Sequence, residues 1–118
     1  MTRQTAQVRS ILPDPGEPMD DATWNRVKTN AQEASDFLKA LSHEGRLMIL
    51  CSLAHGEKSV TELEQMLSQR QAAVSQQLAR LRQERLISSR REGKQIFYSL
   101  TDDRARRIIE QVSELFCA

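Results

Sequence analysis

At 118 residues, 39% of them hydrophobic, the chain has the length of one domain and can bury one modest core without disulfide or metal staples. A formal net charge of +1 neither demands nor excludes a nucleic-acid partner, but the charge is uneven: residues 1–69 carry 7 basic and 10 acidic groups, residues 70–95 carry 7 and 2, and residues 96–118 carry 3 and 4. The longest apolar run, Met48 to Cys51, is far too short to span a bilayer, and the N-terminus lacks the basic-then-apolar order of a secretory signal, so no membrane partner is expected and the cytoplasm is the default location.

Residues 1–18 hold all three prolines, Pro13, Pro15 and Pro18, with Gly16 and few large apolar side chains, and read as a flexible N-terminal tail. Residues 19–118 contain no proline and form the expected folded domain. Val27, Ala31, Ala34, Leu38 and Leu41 recur at helical spacing and predict a long first helix from Asp21 to Leu41. After a break at Ser42 to Gly45, a second helix runs from Arg46 to Ala54 with Leu47, Leu50, Cys51 and Ala54 on one face, and His55-Gly56 supplies its stop. Ser59 can cap a short third helix, with Glu62 three residues on as in a capping box.

That third helix carries Val60, Leu63, Met66 and Leu67, and the polar turn Ser68-Gln69-Arg70 leads to a fourth. The fourth helix has Ala73, Val74, Leu78 and Leu81 on its inward side and Gln71, Ala72, Ser75, Gln76 and Arg80 outward. The period then changes from helical to alternating: Leu86 to Arg91 and Gln95 to Leu100 read as two strands around Glu92-Gly93-Lys94, a β-hairpin with a basic tip. Thr101-Asp102-Asp103 opens a last helix with the apolar stripe Ile108, Ile109, Val112, Leu115 and Phe116.

The expected fold is therefore mainly α with a β-hairpin wing, in the order α-α-α-α-β-β-α, a winged helix-turn-helix. An α-helix fits the DNA major groove, and short polar side chains such as Gln71, Ser75 and Gln76 can reach base edges while Arg80 pairs with phosphate or guanine. Arg90, Arg91 and Lys94 around Gly93 would contact the backbone or enter the minor groove. Charge alone leaves a solvated basic face as an equal alternative, but the outer face of the fourth helix has almost no acid and the basic hairpin follows at once.

The stretch from Leu38-Lys39-Ala40-Leu41-Ser42-His43-Glu44-Gly45-Arg46-Leu47 to Tyr98-Ser99-Leu100 resembles the ArsR/SmtB repressors. Ala73-Val74-Ser75-Gln76-Gln77-Leu78-Ala79-Arg80-Leu81-Arg82 looks like that family's recognition helix, and Arg90-Arg91-Glu92-Gly93-Lys94 like its wing. This adds Gln77 to the DNA-contacting set, at a position where the family often has histidine; Glu84-Arg85 stands where glycine is usual. The resemblance implies a homodimer, packed through its first and last helices, that binds a near-palindromic double-stranded operator and leaves it when an inducer arrives.

Metal sensing is the family's best-known activity, but the arsenic- and cadmium-sensing cysteine pair would fall where this chain has Ser59-Val60-Thr61, and hydroxyls cannot replace soft thiolates. The zinc site of the last helix needs histidines, and residues 101–118 contain none. No metal and no cofactor is expected. Cys51 and Cys117 are the two cysteines; read from its helix face alone, Cys51 would be core filler. Their positions and surroundings, however, resemble the BigR/SqrR subgroup of sulfide- and redox-responsive repressors. That resemblance implies sensor thiols that react with persulfide or a thiol oxidant, form an internal disulfide or polysulfide bridge, and so lift repression. A general thiol-redox or metal-responsive repressor of the same family is the alternative. A protein-interaction module would lack the basic wing, and an enzyme would show a nucleophile motif, phosphate loop or metal-ligand spacing, none of which occurs in the sequence.

Overall fold

A computed structural model describes residues 9–67 and 71–117, and of Gln71 and Ala72 only the backbone. The turn expected at Ser68-Gln69-Arg70 and the first eight residues of the expected tail lie outside the described residues. The chain divides into two compact units, residues 1–39 and 40–118.

In the first unit, residues 9–18 form neither helix nor strand, and the Glu17 N–H donates to the Asp14 carbonyl at 3.1 Å to close a turn over Pro15 and Gly16. Helix α1 (Asp21–Leu41) has the ends that its periodicity predicts. Asp20 caps it, its carboxylate accepting the Thr23 N–H at 2.8 Å, and that bond holds the carboxyl below its ordinary range. Val27 is buried, whereas Trp24 and Leu38 remain 49% and 54% exposed.

The second unit is built around α2 (Glu44–Ala54), which packs against the elements α3 (Val60–Leu67), α4 (Gln71–Gln83), β3 (Gln95–Leu100) and α5 (Asp103–Phe116). A helix with neighbours on so many sides buries most of its circumference. Of the expected face Leu47-Leu50-Cys51-Ala54, Leu50 is fully buried and the other three are half-buried; with Ile49 and Leu53 also at most 1% exposed, the inward face is centred on Ile49, Leu50 and Leu53. Helix α2 also begins two residues earlier than predicted, because the His43 ring accepts the Gly45 N–H at 3.1 Å and acts as its N-cap.

The capping box before α3 is present in both directions: Glu62 N–H donates to Ser59 Oγ and Ser59 N–H to Glu62 Oε1, each at 3.1 Å. Of the expected apolar face of α3 only Leu63 is buried; Met66 is exposed. In α4 the inward stripe is Val74, Leu78 and Leu81, all fully buried, and Ala73 is exposed, being one step of about 100° off that stripe.

The wing is a hairpin of β2 (Ile87–Glu92) and β3, in register from Ile87 opposite Leu100 to Glu92 opposite Gln95. Gly93 takes a φ of 63° at the first loop position, where a two-residue hairpin turn demands the left-handed half of the map. A two-residue strand, β1 (Lys58–Ser59), pairs with β3 and makes a three-stranded sheet ordered β1-β3-β2, an addition to the expected order. Helix α5 is capped by Asp102, which accepts the Ala105 N–H at 3.1 Å, and seats Ala105 and Ile109 in the core. The order is that of a winged helix-turn-helix, mainly α with a hairpin wing.

Candidate nucleic-acid interface

Burial of Val74, Leu78 and Leu81 fixes which side of α4 can face a ligand. Ser75, Gln76 and Arg80 are exposed on the opposite side, and Gln77 is half-buried at its edge. Gln71 and Ala72 open the helix; their side chains lie outside the described residues. The Arg80 side chain is 64% exposed and has Glu84 one turn on at 4.0 Å, a distance at which an exposed ion pair holds it only weakly.

His43, Arg46, Gln76, Gln77 and Arg80 together line an open hollow of about 200 Å³. Sequence spacing gave no sign of it, since the cap of α2 and the middle of α4 are 34 residues apart where His43 and Gln77 meet. Arg46 is steadied from behind, its Nη1 donating to the Ala40 carbonyl at 3.2 Å.

The three cations of the wing differ sharply. Arg90 donates through Nε and Nη2 to both oxygens of Glu57 and through Nη1 to Glu92, each at 2.7 Å, and its guanidinium lies 4.8 Å from the centre of the Phe97 ring. The two carboxylates hold Arg90 in its charged form, and the Arg90 hydrogen bond keeps the Glu57 carboxyl below the usual carboxylate range. Arg91 makes a 3.3 Å bond to the Gly93 carbonyl and, with Lys94, stays exposed at the hairpin tip. Glu57, unnoticed in the sequence, ties the wing to the loop after α2.

Between α4 and the wing the backbone turns at Arg85, which adopts a φ of 63°. Arg85 N–H donates to the Arg82 carbonyl at 3.0 Å and Leu86 N–H to the Leu81 carbonyl at 3.1 Å, the paired bonds of a Schellman motif, closed by the buried Leu81 and Leu86. An arginine here carries about 1–2 kcal/mol of left-handed strain that glycine would not.

Both cysteines are free thiols; Cys51 is half-buried on α2 and Cys117 exposed at the end of α5. Burial pushes the Cys51 thiol up from its ordinary value, a hydrogen bond with the Ser113 side chain works against that, and the charge of Cys117 adds to the rise. The Ser113 carbonyl in turn accepts the Cys117 N–H at 2.8 Å, so one serine of α5 touches the surroundings of both thiols. The sulfurs are not bonded to each other. Among the described residues no group of three or more His, Cys, Asp or Glu side chains is placed to hold a metal ion, and no helix is long and apolar enough to cross a membrane.

Residues 43–89, from the cap of α2 to the third residue of β2, match the profile described as "Bacterial regulatory protein, arsR family". Over 92 residues the chain is 49% identical to the "Biofilm growth-associated repressor" of Agrobacterium fabrum, covering 78% of this chain and 79% of that protein. The crystal structure of the transcriptional repressor BigR from Xylella fastidiosa is similar at a TM-score of 0.75 and 42% identity, over 80% of this chain and 97% of that one. Reduced HlyU from Vibrio cholerae is similar at a TM-score of 0.76 and 38% identity, over 80% and 99%. The chain belongs to the arsR family of bacterial regulatory proteins. Its fold and relatives make it a winged helix-turn-helix transcriptional regulator and not an enzyme.

Proposed function

We propose that the protein is a cytoplasmic, homodimeric transcriptional repressor that holds a near-palindromic double-stranded operator and releases it when Cys51 and Cys117 become linked. The observation that carries DNA binding is α4 itself: its inner face is locked by three fully buried side chains, and its outer face offers Ser75, Gln76 and Arg80 without an acid among them. Gln77, with Gln71 and Ala72 read from the sequence, is proposed to join the DNA contacts, and Arg91 and Lys94 to meet the phosphate backbone from the wing tip. Arg90, with its donors taken by Glu57 and Glu92, serves the same interface by holding the wing in place.

Dimerisation is supported by apolar surface that neither terminal helix covers for itself. On α5 Leu115 and Phe116 are 75% and 83% exposed, and α1 leaves Trp24 and Leu38 open. Two copies would present their α4 helices to half-sites about one duplex turn apart. Repression as the outcome of binding follows the relatives named as repressors.

Cys117, exposed at a helix end, meets the inducer first, and Cys51, kept protonated by burial, acts second. A thiolate attacks the outer sulfur of a low-molecular-weight persulfide, takes that sulfur, and expels the thiolate of the carrier. The second thiol, once deprotonated, attacks the inner sulfur of the protein persulfide and expels hydrosulfide, leaving a disulfide between α2 and α5. Because α2 also packs against α4, a bond that moves α5 on α2 can change the seating of the recognition helix and hence its affinity for DNA.

The test is anisotropy with a duplex from the promoter region of the protein's own gene, using reduced protein and protein treated with persulfide, peroxide or zinc, each product weighed intact. Loss of binding with persulfide, with the mass of an internal bridge, is expected for the native chain and not for Cys51→Ser or Cys117→Ser. Normal persulfide-dependent release in either serine variant refutes the switch, equal release by peroxide makes it a general thiol-redox switch, and release by zinc alone makes it a metal response.

A further inference from the structure

Gly45 stands in the first turn of α2, where glycine is a poorer helix former than alanine by about 1 kcal/mol. Its φ is not left-handed, so backbone freedom does not explain it. Space does. A Cβ at this position would lie 2.8 Å from Gln77 Nε2 and 3.3 Å from both Cε1 and Nδ1 of His43. The Gln77 amide therefore rests over Gly45 and beside the His43 ring, at the edge of the hollow that these α2 and α4 side chains share.

The orientation of that amide follows from the cap. His43 Nδ1 already accepts the Gly45 N–H at 3.1 Å with its one in-plane lone pair, so it carries no proton, and a second polar neighbour is favourable there only as a donor that shares that lone pair. Gln77 Nε2 does so, at 3.5 Å, which turns the Gln77 carbonyl oxygen the other way. A free glutamine side chain can present either end of its amide to a base pair; one whose nitrogen is engaged leads with an acceptor.

We propose that His43 and Gly45 are positioning residues for Gln77: the ring acceptor and the missing Cβ together hold the amide with its nitrogen inward and its oxygen free to accept from a base donor, adenine N6 or cytosine N4. It rests on α4 being the helix that reads DNA. The N-cap of α2 thereby sets part of the sequence preference of a helix 34 residues further along the chain.

The experiment measures binding of the full chain to the duplex from its own promoter region, and to single base-pair variants of it, for the native protein, Gly45→Ala, Gln77→Ala, Gly45→Ala with Gln77→Ala, and His43→Asn. Thermal unfolding is followed in parallel. Gly45→Ala and Gln77→Ala should each weaken binding about tenfold, the worth of one hydrogen bond, and lose discrimination at the same base pair while keeping it elsewhere. In the Gln77→Ala background, Gly45→Ala should change affinity by less than about twofold, as expected when both act through one contact. His43→Asn keeps an N-cap acceptor but shortens it, so it should show the same loss of discrimination with the fold intact, and it supplies the comparison if Gly45→Ala unfolds. An equal penalty from Gly45→Ala with or without Gln77, or a native base profile in Gly45→Ala or His43→Asn, overturns the positioning role. Native protein that binds this duplex no better than an unrelated one overturns DNA reading by α4, and the positioning role with it.

Discussion

Arg80 and Arg90 carry the same guanidinium in neighbouring elements of the basic stretch, yet they are held in opposite ways. Arg80 stands on a helix whose footing is entirely apolar, with one distant carboxylate at 4.0 Å. Arg90 spends its donors on Glu57 and Glu92 at 2.7 Å and lies against Phe97. Helix α4 is fixed from beneath and free above, whereas the wing is fixed from its flank by charge. A basic count in sequence therefore overstates the cations available to phosphate, because those that hold the scaffold are included in it.

The largest way to break this contrast is to remove the footing. Leu78→Ala should lower the unfolding free energy by about 2–5 kcal/mol in urea titration, because a fully buried leucine leaves a cavity, whereas Gln76→Ala on the outer face should stay within about 0.5 kcal/mol and lose operator affinity instead. A smaller effect of opposite sign is expected at the joint between the two regions. Arg85→Gly should raise stability by roughly 0.5–1 kcal/mol, the left-handed strain relieved less the added freedom of the unfolded glycine, read as a higher melting temperature.

The smallest effect is local to the wing and depends on pH. The Glu57 carboxyl titrates lower in the folded protein than in the unfolded chain, so its contribution is complete above the ordinary glutamate value of about 4.3 and fades as pH falls through the folded value. The Arg90 Nε–H signal in NMR should lose its exchange protection over that acid window, and Glu57→Gln should remove the titration step. A step that survives in Glu57→Gln would assign the wing's anchor to another group.

Much of this frame is legible in the residues. The proline-free stretch with its apolar period predicted α1 end to end, and Ser59 with Glu62 announced α3, since both signals are local. The hairpin followed from alternation around Gly93. What escaped was non-local. The two-residue strand β1 is too short to have a period and exists only because β3 lies beside it. The buried side of α2 could not be chosen from a helix that is apolar almost all round, and Ala73, apolar like its inward neighbours, stands one step of about 100° off their stripe. The pairing of Arg90 with Glu57 spans 33 residues and that of Gln77 with His43 spans 34, so neither left a mark in any window of sequence. The reading of Cys51 and Cys117 as sensor thiols rests on resemblance, and Ser113, which touches the surroundings of both cysteines, carried no signal of its own.

The most direct test of α4 as the DNA-reading helix, with a charge-anchored wing, is the salt dependence of operator binding in native protein, Arg80→Gln, Arg91→Gln and Arg90→Gln. Each phosphate contact removed should flatten the slope of log K against log salt by about 1 per protomer. Arg80→Gln and Arg91→Gln are expected to do so, and Arg90→Gln to leave the slope unchanged while loosening the wing. A slope that falls in Arg90→Gln and holds in Arg80→Gln would contradict the account, placing the phosphate contact on the wing and taking it from α4.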